Sequence, residues 1–539
     1  MENFIAIAAF VGLGMLIWDC VEVGRNDAAN IVNAVFGSRI LRRRMAVLLA
    51  GVAVVLGATA ASPVMETARK GIFEPGMLDS FTTAITIYIS VYLVDTVLLY
   101  SYSAFGMPVS TTACLVFELV GASMGLAGLK IVYWDKVGTV VVAIVVSIAM
   151  AGVAGFLIQR VFRAAIREKS QDRETILLHG PWIAGLMLTW LTWFMLLKGL
   201  KAVAFVKVLK AGTIDAYGAA LVLLVMWAGF TLVVHLALTF TGERGTRHLF
   251  QITAVLGMLC MAFAFGQNDL ANCASPGLSA WWLYSHADKT VAMATEVNIP
   301  WWALFSCGLF IVAGMATRHA QRVTRAEVNT GSQFDQVALY APNWCQGVAK
   351  FFLRLGGKSR EPLPGTQELA PPPQLSASGK KIHYDALRAS VIMAISASVI
   401  ALASSRGLPV STTYVAFAAV VATGLADRVM TRGDAHLKIG RAIWVVFSWF
   451  SAAVIAMVAT AAVARVVFHL GVAGLVVGLA ANLTIRYFAK RRSDAQEQRV
   501  HLRVGVDEDE RFDRGETDTA LPPTEQAAGT DKESSTGGS

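Results

Sequence analysis

Long apolar runs separated by short polar stretches recur along most of this chain. Several of them approach the roughly 20 residues that a helix needs to cross a lipid bilayer. The apolar residues follow one another without the alternation of a membrane β-barrel strand, so that class is a poor fit. The pattern predicts an all-α polytopic membrane protein with about 11–13 transmembrane segments. The runs are 4–23, 45–62, 82–104, 113–129, 138–159, 181–199, 216–240, 251–266, 300–317, 386–404, 412–425, 442–465 and 467–488.

Two of these runs, at 113–129 and 412–425, are short for a full crossing. Each of them follows the sequence Pro-Val-Ser-Thr-Thr, so polar residues come directly before the apolar ones. We interpret both as re-entrant or broken helices that begin inside the membrane. The stretches 28–38 and 270–283 have a similar character.

Composition agrees with a membrane protein. Of the 539 residues, 55% are hydrophobic and only 15% are charged, whereas a soluble domain has about 25% charged residues. The N-terminus lacks the features of a cleaved signal peptide, so we expect the first run to remain as a span. The six cysteines form no C-x-x-C pair, which favours buried thiols over a disulfide framework or a metal site.

The net charge of +9 comes from basic clusters that lie beside apolar runs. This placement is typical of orientation signals and not of nucleic-acid binding. If the clusters are cytoplasmic, the N-terminus lies outside and the tail inside, with 69–70 and 201–210 as exceptions. The clusters are Arg39 to Arg44, Arg160 to Arg173, Arg244 to His248, Arg318 to Lys381, Arg428 to Arg441 and Lys490 to Arg492.

Two polar motifs each occur twice, and in the same order, within this apolar sequence. G-x-N-D-x-A-N stands at 24–30 and 266–272, and P-V-S-T-T stands at 108–112 and 409–413. The charge pattern starts the first copy from outside and the second from the cytoplasm, so the two copies are inverted. Inverted repeats with broken helices are typical of secondary transporters, which bind substrate between the repeats near the membrane midplane.

The repeats and the polar stretches divide the chain into five parts. Within the second repeat, the proline-containing stretch 318–385 is expected to be a polar cytoplasmic insertion. Residues 344–355 in it predict a short amphipathic helix, either on the membrane surface or in an ordinary loop. The expected parts are the first inverted repeat (1–160), connecting transmembrane helices (161–249), the second inverted repeat (250–465), a last transmembrane segment (466–492) and a disordered tail (493–539).

Each Pro-Val-Ser-Thr-Thr sequence has the composition of a helix start. Proline suits the first turn, and Ser and Thr place hydroxyls beside the unpaired backbone amides. The positive end of the helix dipole adds to these donors, so a helix start can bind an anion. Capping alone explains a single copy, but two copies that approach from opposite sides suit a tetrahedral oxyanion.

Each G-x-N-D-x-A-N motif places an ionisable side chain in apolar sequence. A charge at a membrane helix centre costs about 2.5–3.5 kcal/mol, which makes Asp27 and Asp269 functional candidates. Either aspartate could ligate a cation, accept a hydrogen bond from a protonated oxyanion or carry a proton. The alternative is a structural aspartate that backbone amides satisfy. The glycine is expected to let the helix break and to allow close packing.

These four motifs resemble the inorganic phosphate transporter (PiT) family, which carries duplicated G-x-N-D-x-A-N signatures, each followed by P-V-S-T-T. The region 51–72 also resembles the continuation of that family's first repeat. The similarity covers residues 1–160 and 250–465. It implies cation-coupled uptake of orthophosphate through an inverted-repeat fold.

The resemblance also implies roles for individual residues, carried over by motif position. It implies no catalytic residue and no cofactor. The residues implied to bind phosphate are Asn26, Ser110, Thr111, Thr112, Asn268, Ser411, Thr412 and Thr413. Those implied to bind the coupling cation, Na⁺ or H⁺, are Asp27, Asn30, Asp269 and Asn272, with Asp27 and Asp269 as the metal ligands if the cation is Na⁺.

The chain departs from the family pattern at a few positions. The family often has His after Ser-Thr-Thr, whereas Ala113 and Tyr414 stand here, which weakens a proton relay through that position. Arg25 stands where the family usually has a small residue. As an accessory residue it could add positive charge for the anion, or it could pair with Asp27 or Asp19.

Four further acidic residues lie in apolar sequence: Asp19, Glu22, Asp95 and Glu118. Intramembrane acids often line a substrate or ion path. We interpret these four as candidates for an approach path to the first motif, with less support than the motif residues.

Together these features predict a secondary active transporter, multi-pass in the plasma membrane, that imports inorganic phosphate by symport with Na⁺ or H⁺. A permease for sulfate or another oxyanion stays open. An intramembrane enzyme has less support, because the chain contains no H-E-x-x-H motif, and the absence of a P-loop disfavours ATP-driven pumping. A passive channel is a further alternative with less support. The expected partners are phosphate and membrane lipid and not nucleic acid, and a homodimer is one open alternative for the oligomeric state.

Overall fold

In this computed structural model the chain is almost entirely helical. The structure describes residues 2–61, 80–169, 172–200, 203–285, 299–355, 373–376 and 379–504. The helices are α1 (Glu2–Gly37), α2 (Arg43–Thr59), α3 (Phe81–Ala104), α4 (Thr111–Ala127), α5 (Trp134–Ile166), α6 (Arg173–Leu191, continued by a π-helical stretch Thr192–Gly199), α7 (Ala204–Tyr217), α8 (Ala219–Thr241), α9 (Glu243–Ser285), α10 (Trp301–Met315), α11 (Arg318–Thr330), α12 (Asn343–Leu355), α13 (Ala386–Ser405), α14 (Thr412–Ala426), α15 (Ala435–Leu470) and α16 (Val472–Val504). An antiparallel pair of short strands, β1 (Gln374–Leu375) and β2 (Lys381–Ile382), lies before α13.

Every predicted apolar run coincides with a helix, which confirms the all-α membrane class. Nine helices of the described ranges are long and apolar enough to cross a membrane, namely α1, α3, α5, α6, α8, α9, α13, α15 and α16. The helices α10 and α11 meet at a bend of 68° and add a tenth span if they are counted together. The helices α4 and α14 are shorter and apolar, as expected for half-helices.

The long helices α1 and α9 pass through the G-x-N-D-x-A-N motifs without a break. The predicted helix breaks at 24–30 and 266–272 are therefore wrong. The stretches 28–38 and 270–283 are not separate half-helices either: 28–37 completes α1, residue 38 follows it, and 270–283 lies within α9.

Side-chain bonding within the motif explains why each helix stays intact. In α1, Asn30 Nδ2 donates to Asp27 Oδ1 at 2.9 Å. In α9, Asn272 Nδ2 donates to Asp269 Oδ1 at 2.8 Å. Because each pair is three residues apart, both members lie on one helix face, and the carboxylate gains a donor without breaking the backbone pattern.

The motif glycines serve close packing between helices, the second of the two roles predicted for them. A Cβ atom at Gly24 would lie 1.9 Å from the carbonyl oxygen of Ile311 in α10. A Cβ atom at Gly266 would lie 2.2 Å from the carbonyl oxygen of Val54 in α2. Both helices therefore touch a partner backbone at the motif, where any larger residue would push them apart.

The two repeats exchange packing partners in a reciprocal way. The helix α1 packs on α10 of the second repeat, and α9 packs on α2 of the first. The short helix α4 packs on α15, and the short helix α14 packs on α5. This pattern is what two inverted copies produce when they interlock around a shared centre, and it supports the predicted inverted repeats.

A tight reversal precedes each short helix. After α3 the chain turns at Gly106, whose φ is +64°, and after α13 it turns at Gly407, whose φ is +66°. Only glycine adopts this left-handed backbone readily. Each reversal leads into a Pro-Val-Ser-Thr-Thr sequence and brings the start of α4 or α14 back into the protein interior.

The stretch 318–385 is more than a polar insertion. The helix α11 buries one face, with Ala320 and Val323 shielded from solvent, and it packs against α1. The predicted helix at 344–355 is present as α12, which packs against α15. Small and apolar residues recur every three to four positions in α11, so helical periodicity could have revealed this buried face.

The last helix is longer than predicted. The helix α16 continues past residue 492 to Val504, so 493–504 does not belong to a disordered tail. Ion pairs fix this extension, because Arg322 Nη2 contacts Asp494 Oδ1 at 2.7 Å and also pairs with Glu497. Residues 505–539, and residues 62–72 of the 51–72 region that resembled the family, lie outside the described residues.

Candidate functional site

The two aspartates of the repeated motif meet at one point. The hydroxyl of Thr111 lies 3.1 Å from Asp269 Oδ1 and 3.5 Å from Asp27 Oδ2. Asp27 belongs to α1 and Asp269 to α9, while Thr111 begins the short helix α4. The two motifs, which lie 242 positions apart in sequence, therefore form a single polar centre.

The first asparagine of each motif holds the chain just before the neighbouring short helix. Asn26 Nδ2 donates to Val109 O at 2.7 Å, and Val109 N donates back to Asn26 Oδ1 at 3.4 Å. Asn268 makes the same pair of bonds to Val410, at 2.7 Å and 3.3 Å. Each motif thus fixes the position of the Ser-Thr-Thr turn in its own repeat.

Threonine hydroxyls link the two repeats. Thr112 Oγ1 donates to Val410 O at 3.0 Å, and Thr413 Oγ1 lies 3.2 Å from Val109 O. Thr413 Oγ1 also lies 2.8 Å from Asp27 Oδ1 and can donate to only one of these acceptors. The bonds run in equivalent directions in the two halves, so the centre has approximate two-fold symmetry.

The second asparagine of each motif also reaches into the opposite repeat. Asn30 Nδ2 donates to Thr413 Oγ1 at 3.1 Å. Asn272 Nδ2 donates to Thr111 Oγ1 at 3.0 Å and to Thr112 Oγ1 at 2.9 Å. In both residues the amide oxygen, Oδ1, is buried and accepts no hydrogen bond from any described residue. An unpaired buried acceptor is costly, and a bound cation would satisfy both oxygens.

Two helix starts point into the same centre. Ser110 Oγ accepts from Ala113 N at 3.0 Å, and Ser411 Oγ accepts from Tyr414 N at 3.2 Å. Both serines are therefore N-caps, as their position before a helix start predicted. The amides at the first two positions of α4 and α14 have no partner within their helices, and with the helix dipoles they suit an anion.

The centre is buried, and among the described residues no basic side chain pairs with it. Each predicted phosphate or cation residue is at most 1% exposed, and this includes Thr412. In the part of the chain that the structure describes, no Lys, Arg or His side chain forms a hydrogen bond or ion pair with these twelve residues. The two carboxylates of the site therefore have no basic partner in the described part of the chain.

Arg25 points away from this centre, although it neighbours the first motif. Its Nη1 pairs with Glu22 Oε2 at 2.8 Å, and its Nε donates to Thr317 Oγ1 at 3.3 Å. Of the two alternatives for Arg25, the ion pair therefore forms, but with Glu22 and not with Asp27 or Asp19. Glu22 also accepts from Arg486 Nη1 at 2.8 Å, so this acid is neutralised on two sides. An accessory role of Arg25 toward the anion stays a prediction.

Sequence reasoning missed one buried polar pair beside the site. Asn33 Nδ2 donates to Glu327 Oε1 at 2.6 Å, and both side chains are at most 1% exposed. Asn33 continues the series of polar residues at every third position after Asp27 and Asn30, a signal that was available in the sequence. Glu327 was hidden because it lies in α11, within the stretch interpreted as an insertion.

Two repeated motifs that share one buried polar centre, with a short helix beginning beside each, are typical of membrane transport proteins. Comparisons with known proteins agree with this class. The model of the Phosphate transporter family matches residues 23–326 and 375–460, and the chain belongs to that family. It is a multi-pass membrane transport protein and not an enzyme.

Individual relatives match over nearly their whole length. A "Putative phosphate permease" of Thermococcus kodakarensis is 28% identical over 476 residues, which is 87% of this chain and 99% of the relative. A protein of the same description from Pyrococcus horikoshii is 26% identical over 473 residues, again 87% and 99% of the two chains.

A solved structure supports the fold. A protein described as "The sodium-dependent phosphate transporter" superposes with a TM-score of 0.61 at 21% sequence identity. The match covers 86% of this chain and 99% of that one. At this level of identity the likeness establishes the fold alone.

Proposed function

We propose that this protein imports inorganic phosphate across the plasma membrane by symport with a monovalent cation, Na⁺ or H⁺. The observation that carries the proposal is the pairing of Asp27 and Asp269 with two helix starts in one buried site, where no described Lys, Arg or His side chain pairs with them. The helix starts offer amide and hydroxyl donors to the oxyanion. The carboxylates offer charge and oxygen ligands to the cations.

Electrostatic repulsion in the site then couples phosphate transport to cation transport. With both carboxylates ionised, a phosphate anion would enter a buried site of like charge, which is strongly unfavourable. Cations bound at Asp27, Asn30, Asp269 and Asn272 remove that repulsion, so phosphate binding and cation binding favour each other. Alternating access follows if the interlocked repeats rock around this centre and expose it to each side in turn.

The substrate test is uptake of radiolabelled phosphate into proteoliposomes, with excess sulfate as competitor. We expect phosphate uptake that sulfate reduces only weakly. Uptake of sulfate in place of phosphate would support the alternative oxyanion permease, since helix starts and hydroxyls bind any tetrahedral oxyanion.

The carrier mechanism needs a separate test. Vesicles preloaded with unlabelled phosphate are expected to accumulate labelled phosphate transiently by counterflow. A passive channel shows no such exchange, so equal uptake with and without preloading would contradict the carrier mechanism.

A further inference from the structure

Three acidic side chains lie together beside the central site and take no part in it. Asp19 belongs to α1, Asp95 to α3 and Glu118 to α4, and each is at most 1% exposed. Asp19 stands eight positions before Asp27 on the same helix, a separation of about 12 Å. The acidic cluster, defined as these three residues, thus lies on the side of the site toward the start of α1, which is predicted to be extracellular.

The carboxyl oxygens of the acidic cluster have almost no partners. Both oxygens of Asp19, both oxygens of Glu118 and Oδ1 of Asp95 are buried, and no N–H or O–H group of the described residues donates to them. Among the described residues, none of the three forms an ion pair with a basic side chain. A buried charge without a counter-charge costs several kcal/mol even after the protein relaxes.

The three groups also act on one another. The carboxyls of Asp19 and Asp95 lie within hydrogen-bonding range, and Glu118 acts electrostatically on Asp19 and is itself affected by Asp95. Two ionised carboxylates have no hydrogen to share, so this contact needs a proton on one of them.

The surroundings of the acidic cluster supply little positive charge. Glu22 is already neutralised by its two arginine partners. The remaining neighbours are thiols, a phenol and acids, none of which neutralises an ionised carboxylate. The titratable and charged groups that face the cluster are Tyr92, Cys114, Cys273, Glu22 and Asp27, with Arg25 and Arg486 behind Glu22.

The fold itself does not require acids at these positions. Counting from the motifs, the equivalents of Asp19, Asp95 and Glu118 in the second repeat are Met261, Ser396 and Ala419. All three equivalents are buried as well. The second repeat therefore builds the same helices without a single ionisable group there, which argues that the acidic cluster serves a ligand and not the packing.

We propose that Asp19, Asp95 and Glu118 form a proton-binding site that exchanges with the solution at the start of α1 and tunes transport to pH. Binding one proton converts one carboxylate into a carboxylic acid, which donates to its neighbour and lowers the local negative charge by one unit. The contact between the carboxyls of Asp19 and Asp95 favours a proton over a metal ion, because a hydrogen shared between two carboxyls satisfies both.

The proton site is placed to affect the central site. Asp95 acts electrostatically on Asp27 as well as on Asp19. A proton in the acidic cluster therefore reduces the repulsion that an incoming anion meets. This consequence for transport rests on the proposed function, whereas the proton site itself does not.

The first experiment uses the unmodified protein and measures the chemical reactivity of its carboxyl groups instead of phosphate transport. A lipid-soluble carbodiimide reacts with protonated carboxyls in apolar surroundings, and mass spectrometry locates the adducts. We expect adducts on the acidic cluster that decrease as the pH rises from 5 to 9. Asp385 and Asp427, which are ion-paired with Arg163, are the internal controls and should stay unmodified.

Three labelling outcomes would overturn the proton site. Adducts whose yield does not change with pH would indicate fixed structural protons. The absence of adducts at every pH would show that the carboxyls are ionised or closed to exchange. Protection of the cluster by Na⁺ at constant pH would identify a metal-ion site instead.

The second experiment compares Asp95→Asn and Glu118→Gln with Glu174→Gln, an exposed control in the first turn of α6. Phosphate uptake is measured against external pH at constant Na⁺. We expect both cluster variants to shift the midpoint of the pH profile by about one unit, the size of shift that neighbouring charges commonly cause. An unchanged profile in both, with normal melting temperatures, would contradict the proposal.

The two experiments fail independently. If Asp95→Asn does not fold, Glu118→Gln and the labelling of the unmodified protein still test the proton site. If the unmodified protein takes up no phosphate, the proposed function fails, but the carbodiimide result continues to test the proton site.

Discussion

The two repeats have similar helices and turns but differ in the charged side chains that they bury. In both, a motif asparagine clamps the residue before a Ser-Thr-Thr turn, and a threonine reaches across to the opposite repeat. The charges around the two short helices differ. At the end of α14, Arg163 Nη2 contacts Asp385 Oδ1 at 2.7 Å and Asp427 Oδ2 at 2.9 Å. Beside α4, the acidic cluster has no counter-charge.

The difference separates structural charge from functional charge. Burial acts to raise the pKa of Asp385, which lies just before α13, but Arg163 and Arg388 more than offset this and hold the pKa below its usual value. That group stays ionised and fixes two helices together. Unpaired carboxyls cannot stabilise the fold in this way, so their presence points to an exchangeable ligand.

The largest expected effect is the loss of stability when Arg163, which pairs with Asp385 and Asp427, is replaced. Arg163→Met leaves Asp385 and Asp427 buried without their cation, which typically costs about 3–5 kcal/mol. We expect a strongly lowered melting temperature in detergent and little folded protein. Arg173→Met, at the exposed start of α6, is the control. An unchanged melting temperature for Arg163→Met would show that the paired charges are not structural.

The second-largest expected effect is the loss of phosphate uptake when Asp27 or Asp269 is replaced. Asp27→Asn and Asp269→Asn keep the shape of the side chain but remove the charge that holds a cation. We expect each to lower the initial rate of phosphate uptake at least about 100-fold, or about 2.7 kcal/mol, at unchanged expression. Asp135→Asn, exposed at the start of α5, is the matched control. Normal uptake by either motif variant would rule out its role in coupling.

The motif glycines test whether the two repeats are alike. Gly24→Ala and Gly266→Ala each push a methyl group into a partner backbone, which costs about 1–3 kcal/mol. We expect similar drops in melting temperature for both. Gly152→Ala, which has open space around it, should change little. A large drop at one glycine only would contradict the reciprocal packing.

The capping serines should have the smallest effect. Ser110→Ala and Ser411→Ala remove an N-cap and a hydroxyl at the anion end, a loss of about 1 kcal/mol. We expect the apparent affinity for phosphate to fall roughly fivefold and the cation affinity to fall less. Titrations of uptake against phosphate and against the cation measure both. A larger loss of cation affinity would place a cation site at these turns.

Much of this architecture could be predicted from the sequence, because membrane helices are long apolar runs and the motifs are duplicated. The pairing of the first motif with the second Ser-Thr-Thr turn could not be predicted, since interlocking depends on which helices pack together. The continuity of α1 and α9 was missed because the glycine of each motif was expected to let the helix break. In the structure the glycines serve close packing, and Asn30 and Asn272 donate to the motif aspartates within the helix.

Long side chains were the least predictable. Arg25 could reach several acids, and only the packing of α1 against α16 decides that Glu22 is shared by Arg25 and Arg486. Glu327 was missed because the opposite face of its helix, α11, is polar, so the whole stretch 318–385 was interpreted as a polar insertion. In contrast, Asp19, Asp95 and Glu118 were candidates from the sequence, yet their contact with one another depends on how α1, α3 and α4 pack.

The central claim is that cations must neutralise Asp27 and Asp269 before phosphate can occupy the shared site. Phosphate accumulation in proteoliposomes, under Na⁺ and pH gradients imposed separately, tests it most directly. We predict that phosphate rises above its external concentration only when an inward gradient of the coupling cation is present. Uptake that stops at equal concentrations on both sides, whichever gradient is imposed, would contradict the account.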